Sequence, residues 1–239
     1  MAVESAERTD MEVVDLATTP LRELNQRLHD LAGEQPVTRH YRVLNPSGAH
    51  AVACGLDAPL EVDIAGHVGY YCAGMNKRAS VRVRGNAGTG LAENIMSGAV
   101  TVDGNASQSA AASGRGGLVV VRGNAGARCG ISMKGVDIVV RGSIGHMSAF
   151  MAQRGCLVVC GDAGDALGES IFEAHIYVRG NVRELGADCV EKELRAPHLE
   201  ELASLLERAR LDEFDPSDFR RYGSARRLYN FTIDNAGAY

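Results

Sequence analysis

The residues of this sequence that could take part in chemistry are seven histidines, six cysteines and one glycine-rich segment. His67, His146 and His175 share no spacing, which argues against a metal site built from histidines. No two cysteines form a CxxC pair, the spacing typical of zinc and redox motifs. Segment 85–90 faintly resembles a nucleotide loop, but a strand pattern follows it where a helix is required. We therefore predict no catalytic, cofactor-binding or metal-binding residue in this chain.

A glycine repeat indicates which secondary-structure elements carry these side chains. Glycine contributes 28 of 239 residues, about 12%, against roughly 7% in typical proteins. Seven of the glycines follow one another at nineteen-residue intervals: Gly66, Gly85, Gly104, Gly123, Gly142, Gly161 and Gly180. Apolar residues, mostly β-branched, stand four and two positions before each of these anchor glycines, the alternation of a short β-strand.

A nineteen-residue unit is too short for a strand followed by a crossover helix. We predict an all-β core, a single-stranded right-handed parallel β-helix of about seven coils stacked roughly 4.8 Å apart, with N- and C-terminal helices beside it. Asn86, Asn105, Asn124 and Asn181 follow four of the anchor glycines. We expect glycine and asparagine here to adopt the left-handed conformation at coil corners, and the asparagine side chains to hydrogen-bond along the stack.

The flanking sequences divide the chain into three predicted regions. They are an N-terminal extension over 1–59, the β-helix over 60–194, and a C-terminal helix with a docking tail over 195–239. Residues 1–12 are predicted to be disordered. A helix with Pro20 at its first position should end near Gly33, and short strands are expected over 41–44 and 51–56.

The C-terminal region begins with a predicted helix over 197–210 and ends in a tail that is rich in aromatic residues. This tail could cap the open end of the stack, as terminal repeats require, or it could dock onto a partner. The sequence leaves both alternatives open.

One outward-facing position is unusually apolar. Three residues before the anchor glycine stand Val120, Val139, Val158 and Tyr177. A solvated face should be polar, so either the helix over 197–210 or a partner protein should cover this stripe. The candidate interface residues are therefore Val120, Val139, Val158, Tyr177, Arg220, Arg221 and Tyr229.

A row of arginines stands next to this stripe, one residue before the anchor glycine. It comprises Arg84, Arg122, Arg141 and Arg179. Such a row could bind an anion or an acidic partner, although we favour a plainly solvated face.

Charge and cysteine content narrow the class of protein. The net charge of −5 disfavours a nucleic-acid partner. Cys72 and Cys129 should lie roughly 14 Å apart, and Cys156 and Cys160 about 13 Å apart, both too far for a disulfide. We expect free thiols in a cytoplasmic protein, because the sequence shows neither a signal-peptide pattern nor a membrane-spanning stretch.

The coil sequences resemble the GXGXG β-helix family. This family includes the C-terminal domain of the glutamate synthase large chain, the corresponding β-helical component of formylmethanofuran dehydrogenase and, most similar, the free-standing GXGXG subunits of N-methylglutamate synthases. The resemblance covers nearly the whole chain beyond its first dozen residues. It rests on the segments 69–76, 128–135, 142–151, 161–168 and 185–189.

The resemblance implies a non-catalytic scaffold subunit. Its partners would be an amidotransferase-like subunit and a synthase-like subunit that carries FMN and an iron–sulfur cluster, while this chain would hold no cofactor. The complex would convert methylamine and L-glutamate to N-methyl-L-glutamate and ammonia. Such amidotransferases use an N-terminal cysteine, whereas the first cysteine here is Cys54. The alternatives are a scaffold in a formylmethanofuran dehydrogenase or formyltransferase–hydrolase complex, and a stand-alone homo-oligomeric binding module.

Overall fold

The computed structural model describes residues 11–32 and 39–226, which form one parallel β-solenoid of about seven turns with two flanking helices. Strands β1 to β9 pair in chain order and all in parallel. These strands are Met11–Asp15, Arg39–Leu44, Leu60–Ala65, Ser80–Val83, Ala99–Val102, Leu118–Val121, Asp137–Val140, Cys156–Val159 and His175–Val178. The predicted parallel coil architecture is confirmed.

The strand register reproduces the nineteen-residue repeat. Val62 pairs with Val81, and Val81 with Val100, so equivalent residues of successive coils lie side by side. The inward positions are buried in every coil, and a second inward row begins at Val68 and Ala87, which pair in parallel. The core is consequently filled by small and β-branched side chains, which suit a narrow coil.

The anchor glycines serve a purpose other than the one predicted. Only Gly66 among them has a positive φ. The left-handed residues lie further along each coil, and many are not glycine, such as Tyr71, Ala73 and Met75 in the first coil. The anchor glycines instead lie in close contact with the preceding coil. A Cβ atom on Gly123, for example, would lie only 2.7 Å from the carbonyl oxygen of Gly104. Close backbone stacking therefore requires glycine at these positions.

The asparagine column forms a ladder from side chain to backbone. The backbone N–H of Asn105 donates to Asn86 Oδ1, that of Asn124 to Asn105 Oδ1, and that of Ser143 to Asn124 Oδ1, each at 2.8 Å. Ser143 and Asp162 continue it, as their side-chain oxygens accept from the next coil at 3.0 Å and 2.7 Å. Each rung links one coil to the next, so the expected hydrogen bonding of the asparagine side chains along the stack is confirmed, with backbone N–H groups as the donors.

Asn124→Ala is expected to lower the free energy of unfolding by about 1 kcal/mol, because it removes the acceptor of one such bond. Asn124→Ser is the matched control, since Ser143 shows that a hydroxyl at this position also accepts from the next coil. Urea denaturation of the two variants tests the ladder. Equal destabilisation by alanine and serine would show that the rung contributes nothing.

The N-terminal flank extends the sheet. Residues Met11–Asp15 form β1, so the prediction of disorder is wrong for Met11 and Glu12, while residues 1–10 lie outside the described part of the chain. Helix α1 spans Leu21–Asp30, with Pro20 as its N-cap and not its first residue. The strand predicted over 51–56 is also wrong. Left-handed residues interrupt that segment, so it resembles the turn side of a coil.

The C-terminal flank closes the last coil. Strand β10 is Cys189–Lys192, helix α2 is Ala196–Arg208, and β11 is Arg220–Ser224, after a short 3-10 turn over Pro216–Asp218. β11 inserts antiparallel between β9 and β10, so this part of the tail caps the sheet. Within residues 11–32 and 39–226, neither helix is long and apolar enough to cross a lipid bilayer.

Candidate functional site

Helix α2 lies on the outer face of coils four to seven and creates a second hydrophobic core there. Leu202, Leu205 and Leu206 pack on the outward apolar stripe, whose members Val120, Val139, Val158 and Tyr177 are at most 3% exposed. The chain itself covers this stripe, the first of the two alternatives left open by the sequence. These four residues therefore do not form a surface that a partner could contact while α2 is in place.

The N-terminal half of α2 brings together three side chains that can bind metals or move protons. They are Cys156 from β8, His175 from β9 and Glu201 from α2, whose donor atoms lie within 4.8 Å of one another. His175 Nδ1 is 2.8 Å from Glu201 Oε2, and the Tyr177 hydroxyl donates to the same oxygen at 2.5 Å. Cys156 is buried, whereas the side chains of His175 and Glu201 keep about a third of their surface exposed. We call Cys156, His175 and Glu201 the α2 cluster.

The register of the solenoid explains the first two positions. Cys156 and His175 are directly paired residues of neighbouring strands. Asp137 occupies the same position one coil earlier, and its carboxylate pairs with Arg208 of α2 at 3.1 Å. Equivalent residues of consecutive coils therefore present an acid, a thiol and an imidazole to one helix.

Hydrogen bonding and burial set the charges of the α2 cluster. The hydrogen bond from His175, more than that from Tyr177, lowers the pKa of Glu201 to about 2 although burial opposes it. Burial, followed by the nearby Glu201 and Asp137 carboxylates, raises the pKa of the Cys156 thiol well above its usual range. Glu201 is therefore an anion and Cys156 a neutral thiol, which makes an activated cysteine nucleophile a poor description of the cluster.

A second histidine lies at the edge of the α2 cluster. The ring of His198 stands perpendicular to that of His175, with centroids 5.6 Å apart. Its Nδ1 accepts a hydrogen bond from the Arg195 backbone N–H at 3.1 Å, so its ring orientation is fixed by the start of α2. Burial, Arg221 and His175 lower the pKa of His198, so it is neutral near pH 7.

Three arginines of the predicted row contact the segment that follows α2. Arg122 donates to the Ala209 carbonyl, Arg141 pairs with Glu213 at 3.1 Å, and Arg179 pairs with Asp218 at 3.4 Å. Arg141 and Arg179 also lie against the Phe214 ring. The acidic groups that Arg141 and Arg179 bind are thus part of the same chain.

The other predicted interface residues lie around β11. Arg220 donates to the Gly180 carbonyl at 2.7 Å and Arg221 to that of Glu193 at 3.4 Å, so both hold β11 against the last coil. Tyr229 lies outside the described residues.

A groove of about 440 Å³ runs along the outer face of strands β3–β6, beside the end of α2. Its walls carry Arg82, Arg84 and Arg122, and the first two form ion pairs with Asp103 and Asp63 at 3.0 Å and 2.7 Å. Two of the arginines along the groove are therefore already neutralised by carboxylates of the same face.

The sequence did not reveal the α2 cluster, because the repeat positions of histidines and those of cysteines were considered separately. Histidines were aligned with histidines and cysteines with cysteines, whereas Asp137, Cys156 and His175 all stand five residues before an anchor glycine. A search of each repeat position for mixed ligand types would have found this column. Glu201 could not be placed, because only the docking of α2 sets its distance from the column.

The comparisons with known proteins identify a relative over nearly the full length. Protein GlxC of Rhizobium meliloti (strain 1021) is 62% identical over 230 residues, which covers 96% of this chain and 100% of the relative. No protein-family model matches the chain. No solved structure matches it either.

Proposed function

Since this chain belongs to the GlxC family, a group of GXGXG-motif proteins related to glutamate synthase, we propose that it is the non-catalytic scaffold subunit of an N-methylglutamate synthase. The complex would join methylamine to L-glutamate and release ammonia. An amidotransferase-like subunit and a synthase-like subunit with FMN and an iron–sulfur cluster would supply the chemistry. This chain would hold the two in register.

The observation that carries the proposal is the continuous hydrogen-bonded stack. Strand register, the asparagine ladder and the second inward row each link every coil to the next, without an insertion between Gly66 and Gly180. Because every coil is hydrogen-bonded to the next, surface residues on different coils stay at fixed distances from one another. A scaffold that positions two enzymes requires such fixed distances.

The turn-rich side of the solenoid offers a surface for such partners. Its large apolar residues are between 41% and 51% exposed: Tyr70, Tyr71, Met75, Met96 and Met151. Tyrosine and methionine are enriched in protein interfaces. These residues replace the α2-covered stripe as the candidate contact surface for the partner proteins.

Co-expression with the chains encoded beside it tests this function. We expect this protein to co-purify with an amidotransferase-like chain and an FMN-containing chain, and the complex to form N-methylglutamate from methylamine and glutamate. Metallohydrolase and formyltransferase chains in the complex would instead identify a formylmethanofuran dehydrogenase-like assembly. A stable homo-oligomer that captures neither pair would contradict both assignments and favour a stand-alone binding module.

A further inference from the structure

The α2 cluster has the composition and placement of a metal-binding site. Its donors are one sulfur, one nitrogen and one carboxylate, which come from two adjacent strands and the helix that covers them. Zinc binds this set of atoms at about 2.0–2.3 Å, so three ligands around one ion lie within roughly 4 Å of one another. The observed separations, all within 4.8 Å, require only small side-chain adjustments to reach that geometry.

We propose that Cys156 Sγ, His175 Nδ1 and the Glu201 carboxylate bind one divalent transition-metal ion of the zinc class, which fastens α2 to the solenoid. This mixed set of sulfur, imidazole and carboxylate suits zinc better than magnesium or calcium, which favour oxygen ligands alone. The fourth position is open to water. The partial exposure of His175 and Glu201 gives the ion a path from solvent.

The charges balance when the ion is bound. Metal binding displaces the Cys156 thiol proton to solvent. The ion also takes the place of the proton through which His175 Nδ1 hydrogen-bonds to Glu201, so the metal-bound imidazole carries its single proton on Nε2. The thiolate and the Glu201 carboxylate then neutralise the two charges of the ion. The Cys156 thiol is buried beside Glu201, a place where a thiolate is costly without a cation, so the ion removes the penalty that keeps it protonated.

Neighbouring side chains orient the ligands. The Tyr177 hydroxyl donates to Glu201 Oε2 and fixes that carboxylate, the kind of outer contact that metal sites use to set ligand geometry. Arg208 neutralises Asp137, which leaves this adjacent acid paired and outside the proposed ligand set. The alternative is a metal-free network beneath α2, in which His175, Tyr177 and the Cys156 thiol only hydrogen-bond to the Glu201 carboxylate.

Metal analysis of the full chain separates the two interpretations. The protein is purified without a polyhistidine tag, its metal content is measured, and Co²⁺ is then added to the chelator-treated protein. We expect about one equivalent of bound metal per chain and, with Co²⁺, a thiolate-to-cobalt charge-transfer band in the near ultraviolet. Folded wild-type protein that takes up neither Zn²⁺ nor Co²⁺, or that binds Co²⁺ without the thiolate band, would overturn the proposal.

The chain offers a matched pair of cysteine variants. Cys156→Ser should abolish the charge-transfer band, whereas Cys160→Ser, a buried cysteine that follows the same strand, should retain it. Tyr177→Phe should keep the band but weaken Zn²⁺ affinity about 10- to 100-fold, as expected for the loss of an outer contact. If Cys156→Ser does not fold, the wild-type Co²⁺ spectrum decides the question. None of these measurements depends on the proposed partners.

Discussion

Gly142→Ala is expected to lower the free energy of unfolding by more than about 3 kcal/mol, at or beyond the upper end of measured overpacking costs. The new Cβ would lie 2.2 Å from Asn124 Oδ1 and 2.7 Å from the Gly123 carbonyl oxygen. That carbonyl accepts the Gly142 N–H at 3.0 Å. The coils therefore cannot separate to admit a methyl group without breaking the hydrogen bond that stacks them. Urea denaturation followed by circular dichroism measures the loss.

Two further variants separate backbone crowding from side-chain crowding. Gly142→Ala combined with Asn124→Ala removes the amide oxygen but leaves the carbonyl, so we expect at most partial recovery of stability. Gly223→Ala is the control for adding a methyl group, since its Cβ would meet nothing closer than 3.8 Å, and should be close to neutral. Full recovery in the double variant would place the crowding in the asparagine side chain and contradict backbone stacking.

The repeat predicted the solenoid because it is a local pattern that recurs without insertion. Two apolar positions before each anchor glycine are enough to define a strand, and a constant interval is enough to stack the strands in parallel. The same evidence misassigned the role of the glycines. A left-handed turn and a close backbone approach both favour glycine. The fold distinguishes them through the φ angles of the anchor glycines and the short distance from Gly142 to Gly123.

The contacts made by α2 could not be predicted in the same way, because they join residues that no repeat relates. The apolar outer stripe indicated that something covers it, and the leucine pattern over 197–210 indicated a helix with one apolar side. Which half of that helix meets which coil depends on the segment 209–218, where Glu213 and Asp218 pair with arginines of the solenoid. The α2 cluster follows from that alignment, and for this reason Glu201 was not among the predicted site residues.

Val139→Lys should detach α2 from the solenoid. Val139 is fully buried in the second core, which also contains Leu202 and Leu205, and an uncompensated buried charge costs about 3–5 kcal/mol. The nearest acid along the strand, Asp137, is already paired with Arg208. We therefore expect loss of the second core while the inner core survives. Hydrogen exchange should show loss of protection in α2, with the strand amides still protected.

Thr101→Lys is the matched control, because Thr101 occupies the same repeat position two coils earlier and is only partly buried at the groove. It should change the free energy of unfolding by no more than about 0.5 kcal/mol and leave the exchange of α2 amides unaltered. Equal effects of the two lysines would mean that α2 does not cover Val139 in solution. Unequal effects would locate the cost in the α2 contact, because the two residues occupy the same outward position on their respective strands.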